Sequence, residues 1–190
     1  MIALKTERLI LRMFREEDFN DYAEIFGDPE IARYLGDGQP LSRFAAWRSL
    51  AATLGHWQLR GYGMWAIEER QSGALVGRVG FFYPEGWPGF ELGWVLNRPY
   101  WGRGYATEGA KAALNYGFGE LGREHTISLI RPENFKSIQV AERLGEKREG
   151  KTIIFGQEAL IYGISQEDWA ATLLSPLTAL DRDCAENSEG

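Results

Sequence analysis

After Gly61 the spacing of apolar residues changes from helical to alternating, and this switch limits the architectures open to the chain. Before it, Ser42 to Leu59 reads as a helix with Phe44, Trp47, Leu50, Ala51 and Leu54 on one stripe. After it, Tyr62 to Glu69, Leu75 to Tyr83 and Phe90 to Leu96 follow the period of strands. Gln71-Ser72-Gly73 and Pro84 to Gly89 are too short for a crossover, so an antiparallel meander is expected. Upstream, Glu7 to Phe14 reads as a strand with Leu9 and Leu11 on one side and Arg8, Ile10 and Arg12 on the other. Phe19, Tyr22, Ala23 and Phe26 mark a helix closed by Gly27, and Asp28-Pro29 opens a second.

Downstream come a helix to about Phe118, a strand over Thr126–Ile130, a helix over Asn134–Leu144, and one or two strands within Lys147–Gly163. Ser165-Gln166-Glu167-Asp168 is a capping-box pattern for a last short helix. The order β-α-α-βββ-α-β-α-ββ is neither strictly alternating nor segregated, which predicts a mixed α+β fold around one central sheet. The 190 residues suit a single domain, expected over residues 1–174, with a flexible acidic tail over 175–190.

Charge and cysteine usage narrow the function. Lys plus Arg is 21 against 27 for Asp plus Glu, a formal charge of -6, which argues against nucleic acid and suits a cationic amine. The lone Cys184 excludes disulfide frameworks and Cys-based metal sites, and His56 and His125 are too few for a His-rich one, so no metal is expected. With no apolar run approaching a membrane span, and Lys5, Glu7 and Arg8 ahead of any signal-like stretch, the chain reads as cytoplasmic. Glycine is abundant, at 23 residues, and aromatics reach 13% with seven Trp, of which Trp47, Trp57 and Trp65 are expected in the core.

The most informative segment runs from Leu96 to Gly109, where a strand ends, a glycine loop follows and a helix begins. Small residues at 102, 104 and 106 leave backbone N–H groups unshielded at a helix N-terminus, a ready cradle for an anion. Arg98, Arg103 and Lys111 reverse the sign of the otherwise acidic chain there, with only Glu108 against them. There is no GxxxxGK[ST] run, and Gly102-x-Gly104 lacks the third glycine of a dinucleotide fingerprint, with Thr107 in its place.

Trp101-Gly102-Arg103-Gly104-Tyr105-Ala106 resembles the pyrophosphate loop of the GNAT acetyltransferase superfamily, Q/R-x-x-G-x-G/A. The longer run YWGRGYATEGAKAALNYGF is similar to the RimJ/RimL-like branch, which acetylates protein N-termini and other amines. The opening TERLILRMFREEDFNDYAEIFGDPEI and the segment Pro132 to Gly145, similar to N-x-x-S-x-x-V-x-x-x-L-G, match that branch in the same order. Two positions depart from the pattern: Trp101 replaces the polar first residue of the loop, and Glu146 stands where an aromatic or Met commonly follows Leu-Gly.

The resemblance implies a mostly antiparallel sheet flanked by helices, with a V-shaped cofactor cleft, and acetyl-CoA as co-substrate. The pantetheine arm would meet the backbone of Val95, Leu96 and Asn97. The pyrophosphate would meet Trp101, Gly102, Arg103, Gly104, Tyr105, Ala106 and Thr107. Either Arg103 or Lys136 would meet the 3′-phosphate, and Asn134 would hold the pantetheine or a water. Glu91 is the candidate base, acting directly or through water, a backbone N–H near Val95 the oxyanion donor, and Ser137 the group protonating sulfur. Plainer roles exist for each: Glu91 facing solvent or pairing with a cation, Asn134 and Ser137 capping a helix. The acceptor would be a protein N-terminus or a small-molecule amine, and the enzyme a monomer or homodimer. A non-catalytic acyl-CoA-binding domain on the same fold is the alternative.

Overall fold

The computed structural model describes residues 2–174; the expected tail, with Cys184, lies outside them. Eight strands form one open sheet in the order β1-β2-β3-β4-β5-β6-β8-β7. They are β1 (Leu4–Lys5), β2 (Leu9–Arg12), β3 (Met64–Glu69), β4 (Leu75–Phe82), β5 (Glu91–Leu96), β6 (His125–Ile130), β7 (Lys147–Ile154) and β8 (Gln157–Ser165). The meander is present as β3-β4-β5, and every neighbouring pair is antiparallel except β5 and β6. This is the mixed α+β architecture that the sequence predicts. Among the described residues no helix is long and apolar enough to cross a membrane.

The helices are α1 (Phe19–Gly27), α2 (Pro29–Ala32), α3 (Arg43–Arg60), α4 (Tyr105–Gly119), α5 (Phe135–Leu144) and α6 (Gln166–Leu174). On one sheet face, Tyr22, Ile25, Phe26, Ile31, Ala46 and Leu50 pack against Ala66, Leu75 and Val95. On the other, Ala110, Ala113 and Leu114 of α4 pack against Leu9, Leu11, Val79, Phe81 and Leu92. Gly117 lets α4 lie close to the sheet, since a Cβ there would stand 2.5 Å from the Phe81 ring. The last helix docks through Trp169, whose Nε1–H donates to Asn115 Oδ1 at 2.9 Å.

The apolar stripe expected on α3 is corrected. Its inward face carries Ala46, Leu50, Thr53 and Trp57, whereas Phe44, Trp47, Ala51 and Leu54 are exposed. Trp57 and Trp65 are core residues, with ring centroids 5.0 Å apart, but Trp47 is 56% exposed. The reason is steric. Small Ala46 lets α3 approach the Tyr22–Phe26 ring pair of α1, and Thr53 ties its hydroxyl to Ser49 O within the helix at 3.0 Å. A count of apolar side chains favours larger residues that this contact has no room for.

The polar side of β2 is likewise partly buried. Arg12 donates twice to Asp18, at 2.7 and 2.8 Å, and once to Glu68 at 2.5 Å. Burial pushes the Asp18 carboxyl up, but its bonds from Arg12 and the Arg15 backbone outweigh that and hold it below the usual range.

Candidate active site

The parallel pair β5 and β6 meets at one register position, Glu91 opposite Ile127, with Ile127 N–H donating to Phe90 O at 3.0 Å. From there toward their C-terminal ends no further register pair joins the strands, and a V opens between them. Ser128 Oγ lies 2.9 Å from Leu92 O near the point of the V.

At the open end of β5 the chain makes a short 3-10 turn, Arg98–Tyr100, and then the glycine loop. Trp101 Nε1–H donates back to Leu96 O at 2.8 Å, which fixes the loop to the strand end. Gly102 and Gly104 have φ of 76° and 79°, a left-handed backbone that favours glycine. Gly104 caps α4 without a side-chain bond, so the first N–H groups of a 15-residue helix face the cleft. Glu108, the one acid in that first turn, also lines the cleft, but its carboxylate is engaged by Thr6 and Arg8. Burial pushes its carboxyl up, but Thr6 Oγ1–H at 2.6 Å and the Arg8 backbone and guanidinium outweigh it and hold the group below the usual carboxylate range. Arg8 Nη1 also donates to Arg103 O at 2.9 Å, tying the loop to β2.

A cleft of about 1270 Å³ runs along this cradle. Trp94, Val95, Leu96, Trp101, Gly102, Gly104, Tyr105, Ala106, Thr107, Asn134, Lys136 and Ser137 all line it. Asn97 and Arg103, also expected there, do not. Asn97 N–H bonds Val76 O across the sheet, and the Arg103 guanidinium lies 5.2 Å from the Tyr100 ring and 3.8 Å from Glu69. Lys136 Nζ stands 4.1 Å over the Trp101 ring, and Lys111 and Arg143 add further positive charge to the wall. Arg143 was not expected; its signal is the two-turn spacing from Lys136 along α5. The unshielded N–H groups and glycine backbone fit a ligand with several phosphates, and Arg33, Lys111, Lys136 and Arg143 supply cations in a lining that also holds Glu7, Glu30, Glu108 and Glu133.

A second cavity of about 420 Å³ lies toward the point of the V. Trp94, Val95, Asn134 and Ser137 line both spaces, so the two meet across these side chains. Asn134 Oδ1 accepts from Ser137 N–H at 3.3 Å and caps α5, so the capping role is realised at a position that also faces the cavities. Glu91 reaches into the smaller cavity, where Trp87 Nε1–H donates to its Oε2 at 2.6 Å. Burial pushes the Glu91 carboxyl up to about 7, against the opposing pull of Trp87, Arg78 and the Leu129 amide. An acid with that pKa exchanges protons readily near neutral pH.

Sequence reasoning missed Trp87, Arg78 and His56 on this wall; Trp87 had only its place in a loop four residues before Glu91 as a signal. His56 is fully engaged, Nδ1 on Tyr62 O at 2.8 Å and Nε2 accepting from Tyr83 N–H at 3.2 Å, which fixes a neutral ring with its proton on Nδ1. It is not available as a base. Glu146 is 3% exposed, and its Oε1 lies 2.9 Å from Ser128 Oγ. Ser128 has one hydrogen and faces two acceptors, Leu92 O and Glu146 Oε1. A protonated Glu146 resolves this by donating to Ser128, which donates onward to Leu92. Burial, the first cause, pushes the Glu146 carboxyl up to about 8, in agreement with that bond pattern.

Comparison with known proteins gives the family of the chain. The family model described as an acetyltransferase (GNAT) domain matches residues 8–147, and the chain belongs to that family of acyltransferase enzymes. It is 30% identical over 172 residues to YnaD, an uncharacterized N-acetyltransferase of Bacillus subtilis (strain 168), covering 87% of this chain and 98% of that one. A crystal structure of an acetyltransferase from Agrobacterium tumefaciens str. C58 matches with a TM-score of 0.77 and 31% identity, over 86% of this chain and 94% of that one. The structure of RimL, a ribosomal L7/L12 alpha-N-protein acetyltransferase in complex with coenzyme A, shares the fold. Its TM-score is 0.70 at 16% identity, over 86% of this chain and 98% of that one.

Proposed function

We propose that this acetyltransferase uses acetyl-CoA and transfers its acetyl group to a primary amine by direct attack within a ternary complex. The observation that carries this reading is the meeting of the two cavities: the phosphate-suited cleft and the Glu91 cavity share Trp94, Val95, Asn134 and Ser137. Acetyl-CoA supplies an activated thioester; the chain supplies its orientation and the proton transfers. The first turn of α4 and Gly102–Thr107 receive the pyrophosphate, and Lys136, on the cleft wall, is favoured over Arg103 for the 3′-phosphate. Backbone groups of Val95 and Leu96 meet the pantetheine arm, and a backbone N–H near Val95 faces the carbonyl oxygen as charge develops on it.

An ammonium has no lone pair, so the amine must lose a proton before a C–N bond can form. Glu91 accepts that proton, directly or through water, with a pKa suited to near-neutral pH. As the C–N bond forms and the C–S bond breaks, Ser137 gives its hydroxyl proton to the leaving sulfur and regains one from the second N–H lost by the acylated nitrogen, directly or through water. The likeness to the RimJ/RimL-like branch rests on the sequence motifs and on a shared fold with RimL. Thiol release from acetyl-CoA, followed by mass spectrometry of the acetylated amine across peptides and small amines, tests the reading. Binding of acetyl-CoA without acetylation of any amine would defeat it and favour a non-catalytic binding domain.

A further inference from the structure

Gly93 is the glycine of the sheet that lines the smaller cavity. Gly80 of β4 and Gly93 of β5 are register partners, flanked on one side by the pair Arg78–Val95 and on the other by Phe82–Glu91. The backbone is close-packed at Gly80, where a Cβ would lie 2.4 Å from Gly63 O. At Gly93 a Cβ would stand 3.9 Å from Glu91 Oε1 and 3.0 Å from Met64 Cε, inside the cavity. The absent side chain at Gly93 leaves a trough bounded at one end by a cation and at the other by Glu91. Arg78 and Phe82, at the two ends, are about 13 Å apart along β4 at the usual strand rise.

Arg78 is held but not neutralised. Its guanidinium lies 4.5 Å from the Phe26 ring, and Nη1–H donates to Tyr22 OH at 3.0 Å. Tyr22 OH is in turn 2.9 Å from Ser49 Oγ. Nε is buried with no partner, and among the described residues no carboxylate lies within ion-pair distance of Arg78. The other cation of the cavity, Arg131, is spent on the carbonyls of Gly36, Glu158 and Ile154. His56 is neutral, and Asp37, at the exposed rim, accepts from Gln39 N–H. Arg78 therefore differs from Arg131 in keeping a buried donor, Nε, without a partner, and Glu91, at the other end of the trough, feels its charge; a partly buried guanidinium so placed is costly.

We infer that the amine acetylated by this enzyme carries a carboxylate, received by Arg78 while Glu91 takes the proton from the ammonium group. The inference rests on the acetyl-transfer reading above. Phe26, Leu35, Phe82 and Trp94 line the space between, so an apolar body joins the two charged ends. A carboxylate on a guanidinium gains charge-assisted hydrogen bonds, and a site built for such a group discriminates strongly against analogues lacking it.

The test measures kcat/KM for acetylation of matched acceptors at the high-pH plateau, where Glu91 is ionised in every protein compared. L-phenylalanine is set against L-phenylalaninamide and phenethylamine. Glycine, γ-aminobutyrate and ε-aminohexanoate are set against methylamine, propylamine and pentylamine, which spans the separation of the two charges. At least one acid should exceed its carboxylate-free partner by tenfold or more. In Arg78→Met that ratio should collapse towards one, and Arg78→Lys should restore part of it. Circular dichroism melting and calorimetry with acetyl-CoA establish that each variant is folded. Equal rates for acids and amines, equal rates for the acid and its amide, or a ratio unchanged in Arg78→Met would each overturn the inference while acetyl transfer stands. Acetylation of no member would overturn this inference, and acetylation of no peptide either would overturn the acetyl-transfer reading with it.

Discussion

Trp87 and Glu91 are joined by a hydrogen bond of 2.6 Å between the indole N–H and carboxylate Oε2, at the point where β5 and β6 begin to separate. The donor stabilises the charged form of a carboxyl that burial disfavours. Trp87→Phe removes the donor and keeps most of the ring. The rising limb of the pH–rate profile, expected near 7 in the native enzyme, should then move to higher pH, with acetyl-CoA affinity unchanged. A limb that stays in place would remove this bond from the control of the base.

Removing the carboxyl itself is a harsher test. Glu91→Gln keeps the shape and loses the proton acceptor, and turnover should fall roughly 10²–10⁴-fold, the usual weight of a general base. Calorimetry should give near-native acetyl-CoA binding, because Glu91 is not among the residues lining the cleft of the glycine loop. Unchanged turnover would take Glu91 out of the mechanism.

The loop is tested by Gly104→Asp. A side chain at φ of 79° costs roughly 1–2 kcal/mol in backbone strain, and the carboxylate opposes a phosphate on the same N–H groups. Acetyl-CoA affinity should fall more than tenfold while the fold persists. Indistinguishable tight binding in both proteins would defeat the loop assignment.

Arg103 and Lys136 are separated by one pair of ligands, coenzyme A and its form without the 3′-phosphate. Lys136→Ala should lose most of the preference for the phosphorylated form, since Lys136 lines the cleft. Arg103→Ala should keep it, because that guanidinium sits by Glu69 and Tyr100. The reverse result would transfer the role to Arg103.

Much of this site was legible because the sequence carries its backbone geometry. Gly102 and Gly104 announce a left-handed loop, and the strand-loop-helix order announces the cradle. Asn134 was readable as a cap for the same local reason. The Glu91 cavity was not legible in that way, because it is assembled from distant segments. Trp87 lies in a loop, Arg78 on another strand, and His56 on α3, and only tertiary packing brings them to one wall. The α3 stripe misled because inward-facing Ala46 and Thr53 are less apolar than exposed Phe44 and Trp47. The choice between Arg103 and Lys136 was not legible, because proximity in sequence to the loop says nothing about the pull of Glu69 on Arg103.

Glu146 predicts a pH-dependent stability. Its folded pKa, near 8, lies above the ordinary carboxylate value of 4.5, so the unfolded chain ionises first as pH rises. Its contribution is fully present below about 4.5 and is lost as pH climbs through about 8, at up to about 1.4 kcal/mol per unit of separation. Glu146→Gln removes the ionisable group and keeps a donor to Ser128. The variant should lose less stability between pH 6 and roughly 9 than the native enzyme in urea melts. Parallel curves for the two proteins would show that Glu146 is ionised in the folded state.

The single register pair between β5 and β6 gives the enzyme a fulcrum. Glu91 sits on that fulcrum, opposite Ile127, rather than on either free arm of the V. Beyond the pivot the two arms share no register pair, so the width of the slot is not set by pairing there, whereas the position of Glu91, the proposed base, is.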